Sequence, residues 1–142
     1  MLPTLDEVQA DFDATPDPRD RLRLLVELGA ELPPFPDALR TDANLVRGCQ
    51  SQVWLVARVD EPSARLVLQA DADAQIVRGL VALLLILYAD RSPEEAAGID
   101  AEGVFAGLDL SRQLTPGRQN GLHAMVARIR ALAQGYSKRL TL

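Results

Sequence analysis

The 142-residue chain contains a single cysteine, Cys49, and a single histidine, His123. One cysteine excludes an internal disulfide, a multi-cysteine zinc site and a disulfide-rich secreted scaffold, and it fits a reducing cytoplasm. One histidine leaves no paired-histidine or HExxH metal site, and no Gly-Lys-Ser/Thr phosphate loop accompanies scattered glycines such as Gly103 and Gly107. The longest apolar run, Leu80 to Ala89, is short of the roughly twenty residues a membrane span requires, so it is expected to form a buried helix. The first twenty residues have neither a basic n-region nor an apolar h-region and do not read as a secretory signal. Positive charge is also in deficit. Fifteen basic residues against twenty acidic give a net charge of −5, which argues against a general nucleic-acid or anionic-membrane binder.

What is present suits one folded domain spanning residues 1–142, because 48% of the chain is hydrophobic and the length matches a single domain of about 150 residues. The charge is divided unevenly. Residues 1–109 carry nine arginines against all twenty acids, a net of −11, whereas residues 110–142 carry five arginines, Lys138 and no acid, a net of +6.

Residues 4–14 have the helical spacing Leu5, Val8, Phe12. A second helix is expected from a cap at Asp17 to about Ala30, with Leu22, Leu25, Val26 and Gly29 on one face. Six of the nine prolines precede residue 37, and Leu32-Pro33-Pro34-Phe35-Pro36 must be an extended, rigid connector. The period then changes to two. Leu45-Val46-Arg47 reads as a short strand, Gly48 to Ser51 as a polar turn, Val53 to Val59 as a second strand, and Arg65 to Ala70 as a third after the Asp60-Glu61-Pro62-Ser63 turn. This pattern predicts an α+β fold in two layers, a three-stranded antiparallel sheet packed against helices. Asp71 or Asp73 is expected to cap an almost wholly apolar helix ending near Tyr88. Ser92-Pro93-Glu94-Glu95 is a capping box. Thr115-Pro116 opens a final helix with a Leu122, Met125, Val126, Ile129, Leu132, Ala133 stripe, expected to end at Gly135.

Cys49 is the residue with the most chemistry to offer. Free cysteines are usually buried as small hydrophobes, but this one follows a glycine in a polar turn, where the backbone bends easily and the sulfur is accessible. Arg47 beside it would favour the reactive thiolate. Arg118 stands at the end of the last helix's buried stripe, where a guanidinium either snorkels over the core edge or faces a cleft; Gln119 and Asn120 beside it offer further donors. His123, next to the stripe, reads as a solvated edge residue, or as the base of a Cys–His thiol hydrolase if it reaches Cys49.

The block Arg47-Gly48-Cys49-Gln50-Ser51-Gln52-Val53-Trp54-Leu55 resembles the SufE family, sulfur acceptors that work with a cysteine desulfurase in iron–sulfur cluster assembly. The resemblance begins at Leu28-Gly29 and Leu32-Pro33-Pro34, resumes at Ile76-Val77-Arg78-Gly79-Leu80, and resumes again at Leu114-Thr115-Pro116-Gly117-Arg118-Gln119-Asn120-Gly121-Leu122. Thr115 and Gly117 stand where the family usually has serines. The resemblance implies that Cys49 accepts persulfide sulfur from a pyridoxal-phosphate-dependent desulfurase, stimulates it, and delivers the sulfur to an iron–sulfur scaffold. It also implies a protein without a cofactor of its own, acting as a partner of an enzyme more than as a free-standing one, with Arg118, Arg47, Gln52 and Asn120 supporting the cysteine or binding the partner. Paralogous members serve different desulfurases with similar cysteine blocks. With no second thiol in the chain, sulfur on Cys49 can leave only to another molecule. A scaffold that assembles clusters itself would need several thiolate ligands. A persulfide must also be sheltered from water and small thiols, so the Cys49 turn is expected to tuck towards an apolar recess made from Val46, Val53, and Leu122 or Met125.

Overall fold

The computed structural model describes residues 2–110 and 114–140, with the side chains of 136–140 outside the description. Two short helices open the chain, α1 (Leu5–Asp13) and α2 (Pro18–Ala30). Each starts on a cap: the Thr4 hydroxyl accepts from the Glu7 amide at 3.2 Å, and the Asp17 carboxylate accepts from the Arg19 amide at 2.8 Å with Pro18 in the first helical position. The proline-rich connector then leads into two single 3₁₀ turns, Asp37–Leu39 and Asp42–Asn44.

Strands β1 (Val53–Asp60) and β2 (Arg65–Ala72) pair antiparallel, with Val53 opposite Ala72 and Asp60 opposite Arg65. Val53, Leu55, Ala57 and Val59 share a face with Ala72, Ala70, Leu68 and Leu66, as alternation requires. The fold is α+β, but the sheet has two strands, not the three that the periodicity suggested. Leu45 makes a single bridge to Trp54, with the Val46 amide donating to the Val53 carbonyl at 2.8 Å. A ladder cannot extend from it, because the 3₁₀ turn ends at Asn44 on one side and Gly48, at φ +97°, turns the chain away on the other.

Helix α3 (Gln75–Tyr88) lies at the centre, and Leu80, Val81, Ala82, Leu83 and Leu84 are all at most 1% exposed. Its apolar length is taken up by burial against α2 and the sheet. No described helix is long and apolar enough to cross a membrane. Helix α2 crosses α3 closely through two glycines. A Cβ on Gly79 would overlap the Leu25 carbonyl, and one on Gly29 would lie 2.7 Å from the Gly79 nitrogen. Neither Asp71 nor Asp73 caps α3, whose N-cap is Ala74 without a side-chain bond. Both carboxylates are engaged elsewhere. Asp71 accepts from Arg40 at 2.8 Å and from Arg78 at 3.0 Å, and Asp73 accepts from the Gln52 amide at 3.0 Å.

Helices α4 (Pro93–Ala97) and α5 (Ala101–Gly107) follow. The capping box is present, with Ser92 and Glu95 each accepting from the other's amide at 3.1 Å. Helix α6 (Pro116–Leu140) begins where Thr115-Pro116 placed it. It runs through Gly135 rather than ending there, since one glycine weakens a helix by only about 1 kcal/mol without breaking it. Leu122, Met125, Val126, Ile129 and Ala133 are buried along its inner face.

Candidate functional site

Between β1 and the second 3₁₀ turn, residues 48–51 form a turn that lies along the first part of α6. Its approach is fixed upstream. The Arg40 guanidinium sits 5.3 Å from the Phe35 ring and 5.0 Å from the Trp54 ring while pairing with Asp71, which joins the connector to the sheet. Asp71 in turn pairs with Arg78 at the start of α3, so connector, sheet and central helix share one ionic node. This node was not legible in the sequence, since its partners are scattered from Arg40 to Arg78 without a recognisable spacing.

A hollow of about 210 Å³ opens beneath the turn. Cys49 enters it from the turn together with Gln50 and Ser51. Val77 and Leu80 of α3 form apolar wall, joined by Met125 of α6, while Thr115, Gly117, Arg118 and Gly121 belong to the opening of α6. Of the expected apolar lining, Met125 is in place; Val46, Val53 and Leu122 are buried but do not line the hollow, and Val77 and Leu80 serve instead.

The Cys49 thiol is half-buried and donates to the Gly121 carbonyl across 3.6 Å. Burial pushes its pKa up, because removing the thiolate from water disfavours the charged form. In this tucked position burial favours the protonated thiol over the thiolate. Arg118 lines the same hollow from the first turn of α6, where the Thr115 hydroxyl accepts from its amide at 3.3 Å. The helix N-terminus and the guanidinium thus present positive potential to the space that the sulfur faces.

The other candidates lie apart. Arg47 and Asn120 are exposed and do not line the hollow. Gln52 is exposed too, and its backbone exchanges hydrogen bonds with Asp73, at 3.0 Å to the carboxylate and 3.1 Å between main chains. His123 faces α5, where its Nδ1 lies 2.9 Å from Glu102 Oε1, and it does not line the hollow either. Among the described residues no group of three or more potential ligands is gathered to hold a metal.

Residues 6–133 match the model of the SufE family, described as an Fe-S metabolism associated domain. The chain belongs to the SufE family. It is 39% identical over 136 residues to an uncharacterised SufE-like protein of Rhizobium meliloti (strain 1021), covering 94% of this chain and 97% of that one. It is 41% identical over 136 residues to an uncharacterised SufE-like protein of Rhizobium etli, covering 94% and 92%. The solution structure of a hypothetical protein from Thermus thermophilus superposes with a TM-score of 0.76 at 26% identity, covering 97% of this chain and 99% of that one. Membership in the SufE family places the protein in iron–sulfur metabolism.

Proposed function

We propose that the protein is a cytoplasmic sulfur acceptor, in which Cys49 takes the terminal sulfur from the persulfide of a pyridoxal-phosphate-dependent cysteine desulfurase, stimulates that enzyme, and delivers the sulfur to an iron–sulfur scaffold. The Cys49 thiolate attacks the outer sulfur of the desulfurase Cys–S–SH. The S–S bond breaks, the desulfurase cysteine leaves as a thiolate, and Cys49 carries –S–SH with no net oxidation. Attack by a scaffold thiolate on that outer sulfur repeats the exchange and restores Cys49.

The observation that carries this reading is the seat of the only thiol: half-buried at a partly apolar hollow of about 210 Å³ that Arg118 also lines. Such a place shelters a persulfide between partners, and Arg118 would stabilise the anionic sulfur or a partner carboxylate. A Cys–His hydrolase finds no support here, because the thiol is bonded to the Gly121 carbonyl and His123 to Glu102.

Incubation with candidate desulfurases and cysteine, followed by intact-mass measurement, tests the proposal. One added sulfur, about 32 mass units, is expected on the wild type and none on Cys49→Ser. A Cys49→Ser variant that still stimulates desulfurase turnover fully without added reductant would remove Cys49 from the mechanism.

A further inference from the structure

Three consecutive residues of the turn meet three residues of α6 in reverse order. A Cβ on Gly48 would lie 3.3 Å from the Ala124 Cβ, the Cys49 sulfur stands 3.5 Å from where a Cβ on Gly121 would be, and a Cβ on Gly117 would overlap the Gln50 carboxamide. Positions 117, 121 and 124 are spaced by four and three, so they lie along one face of the helix. The turn therefore runs antiparallel down a track of small side chains. The three contacts differ in how much they require of the helix. At Gly121 a methyl group would make ordinary van der Waals contact with the sulfur, so nothing there demands glycine. At Gly117 the space that a side chain would need is already filled by Gln50. Gly117 also has no left-handed backbone angle, so a residue with a side chain suits its conformation and only the neighbour objects.

We infer that Gln50, seated on Gly117, is a positioning residue that holds the Cys49 turn down on α6, and that the bulk of residue 117 sets how readily the turn lifts to present its sulfur. Of the three contacts, this one lies at the end of the track nearest the start of α6, beside Arg118. Gln50 is an exposed residue whose carboxamide nonetheless rests on the helix at Gly117. A partner that draws the carboxamide off Gly117 would leave the turn on α6 with the weak hydrogen bond from Cys49 to the Gly121 carbonyl and the looser approach of Gly48 to Ala124. The inference deepens the sulfur-acceptor reading, since a carried persulfide has to be both sheltered and released.

The test reads the turn directly, without a desulfurase. Second-order alkylation of Cys49 by a bulky maleimide is followed in the folded full-length protein. Gln50→Ala and Gly117→Ala are each expected to raise the rate by about tenfold, as the population shifts from docked to lifted. Because both remove the same contact, the double variant should react no faster than the quicker single one. Gly121→Ala should stay within about twofold of wild type, and Gln50→Met, which keeps the length of the side chain, should react at nearly the wild-type rate. Since alanine is the better helix former, a faster thiol in Gly117→Ala cannot arise from a frayed α6. Unchanged rates in both single variants, or single effects that multiply in the double variant, would overturn the inference. Failure of sulfur uptake with these rates as expected would instead overturn the sulfur-acceptor reading and leave the latch standing.

Discussion

Between α1 and α2 lies a groove of about 510 Å³, more than twice the volume of the 210 Å³ hollow at Cys49. Its floor is apolar, with Val8, Phe12 and Leu28, and its edges carry Glu7, Asp11, Glu27 and Glu31. Among the described residues lining it there is no thiol, histidine or cation. The smaller hollow holds the chain's one thiol and an arginine at the mouth of a helix. Volume records what two helices leave unfilled where they diverge; reactivity needs a nucleophile and something to stabilise its charge. The two hollows therefore test whether chemistry follows size or composition.

The largest effect should come from the smaller site. Cys49→Ser should abolish sulfur uptake while changing stability by less than about 1 kcal/mol, since the turn adds little to the core. Glu27→Gln with Glu31→Gln, on the α2 side of the larger groove, should leave uptake at the wild-type rate when both are followed by intact mass against time. Loss of uptake in the groove variant would show that the acidic region takes part in the transfer.

Glycines sharpen the contrast between packing and presentation. Gly79 is buried between helices, and the neighbour in its way is the Leu25 backbone, which cannot step aside. Gly79→Ala should cost about 3 kcal/mol by overpacking, measured by urea denaturation. Gly117→Ala should cost at most about 1.4 kcal/mol by the same measurement, the equivalent of a tenfold shift towards the lifted turn, because the neighbour there is the end of a flexible side chain. Equal losses would mean that the turn is as much a part of the core as the α2–α3 crossing.

These two glycines also show where the sequence was legible. Caps, prolines and apolar periods are local, and they located all of α1 and α2, the hairpin, the capping box at Ser92 and the start of α6. The third strand was misread because Leu45-Val46 alternates correctly, yet a strand needs neighbours on both sides, and the 3₁₀ turn and Gly48 remove them. Asp71 looked like a helix cap because it stands before an apolar run; its pairing with Arg40, 31 residues away, has no local signature. Cys49 and Arg118 were singled out separately by residue type, and the fold brings them to one hollow. Gln50 was legible only as part of the cysteine block and Gly117 only as a departure from the family's usual serine, because what joins them is a contact between distant segments. A glycine at the second position of a helix, where little favours it, was the one available sign.

Arg118 offers a smaller test within the basic end of the chain. Arg118→Ala should slow sulfur acceptance or desulfurase stimulation by about tenfold, equivalent to about 1.4 kcal/mol, with little loss of stability. Arg118→Lys should recover only part of that, because lysine keeps the charge but not the fork of donors. Arg128 and Arg130 donate to the carbonyls of Ala43 and Ile99, at 3.0 and 3.2 Å, away from the hollow. Their alanine variants should transfer sulfur nearly normally. Equal losses from all three would mean that α6 acts through its overall positive field on an acidic partner.

The smallest effect is a pH dependence of stability, and its sign follows from burial. The tucked Cys49 keeps its proton to a higher pH than an unfolded thiol does. Over that interval the folded state binds more protons than the unfolded one, so stability falls as pH rises. The contribution is whole below the ordinary thiol range and is lost as pH climbs through the raised value. Serine at position 49 stays neutral throughout and has nothing to lose. Urea denaturation of wild type and Cys49→Ser, carried from neutral pH into the alkaline range, should therefore show the wild type weakening relative to the variant. Gln50→Ala, whose lifted turn returns the sulfur to water, should narrow that difference. Parallel curves for wild type and Cys49→Ser at every pH would show that the thiol is solvated in the folded protein, and the distinction between a sheltered sulfur and an open groove would disappear.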